Sequence, residues 1–129
     1  MTSWVYVDSS LVLAALFGES LGNHTDLNSP NRRIRLISSY LLEAEVLSAV
    51  RREGSDVAQA LKSLGRIGFI KTGSLVRELK QVFDLGYIRG ADAFHLAAAL
   101  WVRERHMGLR FWTLDTKQAD LARALSLEP

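Results

Sequence analysis

The chain has 129 residues and a formal net charge of +2, and its composition is 48% hydrophobic and 23% charged. This length suits one domain with its own core, and the composition excludes a mainly disordered chain. Because the chain contains no cysteine, a disulfide scaffold, a cysteine nucleophile and a thiolate zinc site are excluded. No apolar run reaches the ~20 residues that cross a bilayer, and the first residues lack a signal-peptide pattern, so we expect a cytoplasmic protein.

Short apolar strands alternate with segments of helical periodicity along the chain. The strands are runs of β-branched and aromatic residues, and the helices place apolar residues three and four apart. In chain order, the pattern predicts a strand over residues 4–7, a helix over 11–17, a strand over 34–37, helices over 39–53 and 57–64, a strand over 67–70, helices over 75–85 and 90–102, a strand over 109–114 and a helix over 119–125. Residues 18–30 form a loop or a short helix, and residues 126–129 leave room only for a vestigial fifth strand.

This alternation predicts the α/β class. Short strands that are apolar on both faces are typical of a parallel sheet covered by helices on either side. The expected architecture is therefore a three-layer α/β/α sandwich with a central parallel sheet of four to five strands. The helix over residues 90–102 is apolar on nearly every side and should lie at the centre of its layer.

Four acidic residues fall where such a fold collects functional groups, beyond the carboxyl ends of its strands. Asp8 and Asp115 follow the first and fourth predicted strands, Asp92 lies in the first turn of the most apolar helix, and Glu45 lies on the helix after the second strand. Taken singly, each has an ordinary explanation, because an aspartate at a helix start is commonly a cap and a glutamate on a helix is commonly solvated.

Taken together, the four acids point to a cation. Clustered carboxylates repel one another and resist desolvation, so a protein seldom gathers them without a positive partner. Hard divalent ions such as Mg²⁺ or Mn²⁺ prefer oxygen ligands. Such an ion can activate water and neutralise the charge that develops on a phosphodiester during hydrolysis, without a covalent nucleophile.

Four ordered segments resemble the motifs of the PIN domain, and of VapC-type toxins in particular. They are residues 5–10 (VYVDSS), 38–52 (SSYLLEAEVLSAVRR), 89–99 (RGADAFHLAAA) and 111–115 (FWTLD). The third segment is the most specific, and the spacing of the four extends over nearly the whole chain. The resemblance makes residues 1–129 a single PIN-like nuclease domain.

The resemblance implies a Mg²⁺- or Mn²⁺-dependent endoribonuclease, the toxin of a type II, VapBC-like toxin–antitoxin pair. By position, the metal-binding and catalytic acids are Asp8, Glu45, Asp92 and Asp115. Ser10 and Thr113 match the hydroxyl positions that support these acids through hydrogen bonds. The implied partners are RNA, a cognate antitoxin and a second copy of the chain in a homodimer, and no membrane.

Three assignments near these motifs have competing interpretations. Glu43 and Glu45 point about 200° apart on a helix, so only one can face the site, and Glu45 fits the motif better. His95 can bind a carboxylate, a phosphate or a metal, or it can be structural. Lys117 can contact a phosphate of the substrate or can be merely solvated.

Three other functions compete with the toxin. A PIN nuclease that acts in RNA processing without an antitoxin would carry the same acids. A non-catalytic PIN-like binding module would not need to keep all four. A signalling receiver domain is disfavoured, because Asp8 has no acidic neighbour and no aspartate follows the third predicted strand.

Overall fold

The computed structural model describes residues 2–22, 24, 33–106 and 108–129. These residues contain four strands and six helices, and every predicted strand and helix is present with small shifts of its ends. In chain order the elements are β1 (Ser3–Val7), α1 (Ser9–Leu16), β2 (Ile34–Ser39), α2 (Leu41–Glu53), α3 (Val57–Leu64), β3 (Gly68–Ile70), α4 (Val76–Leu85), α5 (Gly90–Arg103), β4 (Arg110–Trp112) and α6 (Thr116–Ala124).

The four strands form one parallel sheet in the order β3-β2-β1-β4. The chain moves from β1 to β2 and β3 in one direction, and then crosses to β4 on the opposite side of β1. The place where the connections leave in opposite directions is a topological switch point. It opens a crevice between β1 and β4, at the carboxyl ends of these two strands. The topology therefore places one preferred ligand site at this switch point.

Helices cover both faces of the sheet, which confirms the three-layer sandwich. Val5 and Val7 of β1 and Trp112 of β4 pack with α1, α2 and α3, whereas Tyr6 and Phe111 pack with α4, α5 and α6. Neighbouring residues of a strand point to opposite faces, so each strand contributes to both cores. Parallel crossovers are almost always right-handed, so the change of direction after β3 moves the helices to the other face.

Helix α5 lies at the centre of its layer, as its composition predicts. Its residues from His95 to Leu100 are all buried, and Ala93 and Val102 are buried as well. Three of these are consecutive alanines, whose small side chains allow close packing against the sheet and the adjacent helices. Within the residues that the structure describes, no helix is long and apolar enough to span a membrane.

The fifth strand amounts to a single bridge. Glu128 pairs in parallel with Arg110, and its carbonyl accepts a 2.7 Å hydrogen bond from the Phe111 backbone N–H. The sheet thus has the lower of the two predicted strand numbers, with a vestigial partner along the outer edge of β4. Of the predicted loop or short helix over 18–30, residues 18–22 contain no helix, while 23 and 25–30 lie outside the described residues.

Candidate active site at the carboxyl edge of the sheet

Asp8 is the buried acid at the switch point between β1 and β4. It follows β1 directly, and its residue is only 3% exposed. The Ser10 hydroxyl donates to Oδ1 at 2.7 Å, and the Thr113 hydroxyl donates to Oδ2 at 3.1 Å. Asp8 precedes α1 without a side-chain capping hydrogen bond, although the nearby Leu11 N–H slightly favours its charge. Capping therefore contributes only weakly to the environment of this carboxylate.

Backbone N–H groups fix the direction of both hydroxyls. Ser10 Oγ accepts from the Leu114 N–H at 2.9 Å, and Thr113 Oγ1 accepts from the Asp115 N–H at 3.0 Å. Each hydroxyl has one proton, and the Asp8 oxygens at 2.7 and 3.1 Å are closer acceptors than the other hydroxyl at 3.3 Å. The structure thus brings Ser10 and Thr113 to Asp8 in the supporting arrangement that the sequence resemblance implies.

Burial dominates the electrostatics of Asp8. It raises the pKa of this carboxyl to about 6, and the hydrogen bonds from Ser10 and Thr113 offset the effect only in part. Among the described residues, no lysine or arginine forms an ion pair with Asp8. A positive charge on His95 would also lower the pKa of Asp8. At neutral pH the protein nevertheless keeps this carboxylate buried without a lysine or arginine partner in the described residues, which is costly unless a cation compensates it.

Asp92 and Asp115 lie close enough to affect each other electrostatically. The pKa of Asp92 is raised by burial and then by the negative charge of Asp115; Arg89 opposes the rise and Glu45 adds to it. Asp115 is exposed and caps α6, because its Oδ1 accepts from the Gln118 N–H at 2.8 Å. Helix capping thus accounts for one oxygen of Asp115. Its negative charge still contributes to the acidic edge, the group formed by Asp92, Asp115 and Glu45.

Helix α2 contributes Glu45, which reaches across to α5. Its Oε1 lies 2.5 Å from Nε2 of the buried His95. Its charge also raises the pKa of Asp92, so it belongs to the same negatively charged edge. By contrast, Glu43 makes no side-chain hydrogen bond or ion pair with the residues described. The structure therefore favours Glu45 over Glu43.

The donor set has the chemistry that a hydrated divalent cation requires. The carboxylates supply hard oxygen atoms, and near Asp92 and Asp115 the buried acceptor Gln118 Oε1 has no hydrogen-bond partner among the described residues. Across the described ranges, however, no three His, Asp or Glu side chains converge closely enough to hold one metal ion. Mg²⁺ commonly keeps several waters and uses only one or two carboxylates. One or two of these carboxylates would suit such a hydrated ion, whereas the described residues form no cage of protein ligands.

Sequence reasoning missed Gln118, which joins the two helices that carry Asp92 and Asp115. Its side-chain Nε2 donates to the Asp92 carbonyl at 3.1 Å, and its backbone N–H donates to Asp115. An acidic cap followed three residues later by glutamine is a capping-box pattern, which is a usable signal. Here the glutamine side chain turns to α5 instead, because Thr113 already accepts the Asp115 N–H.

Lys117 and Tyr87 form an exposed cation–π pair beside the acids. The Lys117 Nζ lies 5.3 Å from the centroid of the Tyr87 ring, and Tyr87 is 73% exposed. Lys117 belongs to the first turn of α6, two residues after Asp115, and Tyr87 lies in the loop that leads into α5. The pair offers a positive charge and an aromatic face next to the negatively charged edge.

Neither a protein-family model nor a curated protein matches this sequence. The resemblance to PIN domains therefore depends on the four motifs, and function has to be argued from the site itself.

Proposed function

We propose that the chain is a Mg²⁺- or Mn²⁺-dependent endoribonuclease of the PIN-like type, with Asp8, Glu45, Asp92 and Asp115 as its acids. The observation that carries this proposal is the Asp8 carboxylate, which is buried at the switch point and forms no ion pair with a lysine or arginine among the described residues. Negative charge left uncompensated at a ligand-binding edge favours a bound cation over a structural explanation.

The protein's own residues prepare the site for phosphodiester hydrolysis. Asp8 and Asp92 would hold the ion, with Asp115 and Glu45 adding negative charge around it. A bound divalent ion would lower the pKa of a water and neutralise charge on the phosphate. Ser10 and Thr113 hold both oxygens of Asp8 in place, so the carboxylate needs little reorganisation when the site fills. Gln118 ties the backbone at Asp92 to the cap at Asp115.

Features around the acids fit a single-stranded or looped RNA. Unstacked bases bind aromatic faces, and lysine and arginine neutralise phosphates. Tyr87 and Lys117 supply both beside the acids. A cavity of about 520 Å³ also adjoins Asp115 and includes Arg110 and Arg123 in its lining. An RNA strand could thus meet positive groups on either side of the negative centre.

Removal of divalent ions tests the proposal directly. We expect the purified protein to cleave single-stranded RNA with Mg²⁺ or Mn²⁺, to lose cleavage in EDTA, and to regain it when Mn²⁺ is added in excess. The measurement is the appearance of internal cleavage products on a denaturing gel. Cleavage that continues unchanged in EDTA, after extensive dialysis, would contradict a metal-dependent mechanism.

A change of Lys117 to alanine tests the RNA contact. We expect weaker RNA binding and a salt dependence whose logarithmic slope falls by about 0.7, the value for one phosphate contact to a single strand. The measurement is the dissociation constant at several salt concentrations. Lys62→Ala is the matched control, because Lys62 is an exposed lysine in the last turn of α3, toward the opposite edge of the sheet. Equal effects of the two changes would show that Lys117 has no specific contact.

The toxin assignment adds protein partners to this proposal. Apolar side chains remain exposed on α3 and α4, among them Val57, Leu61, Val76 and Phe83. Because α3 and α4 cover opposite faces of the sheet, these residues belong to two separate surfaces, which a second copy of the chain and an antitoxin segment would cover. With these partners the protein would act in the cytoplasm. Co-expression with the small protein encoded next to it tests the toxin assignment against a PIN nuclease of RNA processing that has no antitoxin.

One observation favours a second candidate, a non-catalytic PIN-like binding module. It is the lack of three converging metal-ligand side chains within the residues that the structure describes. A binding module would retain RNA or protein binding but show no thermal stabilisation by Mn²⁺. Mn²⁺ titration followed by thermal unfolding therefore separates the two candidates.

A further inference from the structure

A chain of hydrogen bonds joins three elements beneath the acidic edge. Tyr6 lies on β1, His95 on α5 and Glu45 on α2. The Tyr6 hydroxyl is 2.7 Å from His95 Nδ1, and His95 Nε2 is 2.5 Å from Glu45 Oε1. Tyr6 and His95 are completely buried, whereas the Glu45 side chain is 23% exposed. These hydrogen bonds therefore connect the core with a carboxylate at the surface of the site.

The surrounding donors determine where the protons lie. The Ser39 backbone N–H donates to the Tyr6 oxygen at 3.2 Å, so the tyrosine already accepts one hydrogen bond. When His95 Nδ1 is unprotonated, it offers the tyrosine proton an acceptor at 2.7 Å. The imidazole proton then lies on Nε2 and points to Glu45. The Glu45 carboxylate requires the same arrangement, because an ionised carboxylate can only accept a hydrogen bond and lies 2.5 Å from Nε2.

We propose that His95 is a positioning residue, which holds the Glu45 carboxylate at the acidic edge through an Nε2–H donor while its Nδ1 accepts from the Tyr6 hydroxyl. The inference rests on the proposed function, because it gives Glu45 a role beside Asp92. A free glutamate on a helix surface samples several rotamers, and its ordering costs entropy. The buried imidazole restricts the Glu45 rotamers before an ion binds. The imidazole is itself held by Tyr6, whose ring is stacked on Phe111 with centroids 5.5 Å apart.

Two substitutions at His95 separate positioning from packing. His95→Gln can keep an N–H donor near the Nε2 position, whereas His95→Leu fills the space without a donor. We expect the Mn²⁺ concentration for half-maximal cleavage to rise by about 10–100-fold in His95→Leu, the usual effect of losing an outer partner of a ligand. We expect most of this loss to be restored in His95→Gln. Mn²⁺ binding measured by calorimetry, without RNA, should follow the same order.

The matched control is Glu43→Gln, on the same helix as Glu45 but without a contact to His95. It should leave Mn²⁺ binding and cleavage unchanged. Equal Mn²⁺ affinity in folded His95→Leu and wild-type protein would overturn the proposal, as would a loss in His95→Gln as large as that in His95→Leu.

Nitrogen NMR of the wild-type protein provides a test that needs neither cleavage nor a stable His95 variant. Long-range ¹H–¹⁵N correlations should show a proton on Nε2 of His95 and an unprotonated Nδ1. A proton on Nδ1 in the wild type would overturn the proposal even if the enzyme is active. Conversely, absence of metal-dependent cleavage with the Nε2–H tautomer present would contradict the proposed function alone.

Discussion

Asp92→Asn is expected to abolish RNA cleavage, with a loss of at least about 100-fold. Removal of an outer partner of a metal ligand already costs about 10–100-fold, and this change removes the charge of a proposed ligand. The negative charges of Asp115 and Glu45 act on Asp92 and raise its pKa. Removing the Asp92 charge therefore weakens the attraction of this group of carboxylates for a cation. The measurement is the initial cleavage rate at saturating Mn²⁺.

The fold should survive this change, which separates a catalytic loss from unfolding. Because burial and two neighbouring carboxylates disfavour the Asp92 charge, the metal-free variant should be as stable as the wild type or more stable. Asp84→Asn is the control, since Asp84 lies on α4 and forms only an exposed pair with Lys80. Full activity in Asp92→Asn would remove Asp92 from the site, and a stability loss of several kcal/mol would instead indicate a structural role.

The strands and helices could be predicted because each leaves a local pattern. Val5, Tyr6 and Val7 are apolar and bulky on both faces of β1, as a covered parallel strand requires. The order of the strands leaves no such pattern, because periodicity shows which side chains are buried and not which strand is adjacent. The position of β4 beside β1, on which the switch point depends, therefore emerged only in three dimensions.

For the acids, as for the strands, the sequence predicts the position along the chain but not every contact. Asp8 and Asp115 follow strands directly, so the topology of a parallel sheet alone directs them to the same edge. The contact between Glu45 and His95 could not be foreseen, because α2 and α5 belong to opposite layers and meet only around the end of the sheet. The capping role of Asp115 was an open alternative, and the structure confirms it for one oxygen.

Asp8 should make the metal-free protein less stable as pH rises. Its pKa is about 6 in the folded protein and near 3.8 when unfolded. Between these values the folded state holds more protons than the unfolded state, so the free energy of unfolding falls with rising pH. Well above pH 6 the cost approaches about 3 kcal/mol, at about 1.4 kcal/mol for each pKa unit. Denaturant unfolding from pH 4 to pH 8 measures this slope, and Asp8→Asn should flatten it.

A divalent ion should offset the loss of stability that the buried Asp8 charge causes, and the size of this stabilisation should depend on pH. The ion binds the ionised carboxylate, so Mn²⁺ should raise the melting temperature more at pH 7.5 than at pH 5, where the proton competes. Asp8→Asn should lose most of this stabilisation, while Asp120→Asn, at an exposed position on α6, should keep it. Equal stabilisation of wild type and Asp8→Asn at pH 7.5 would mean that the ion binds elsewhere. The uncompensated charge of Asp8 would then have a structural origin, and the case for a metal-dependent nuclease would lose the observation that carries it.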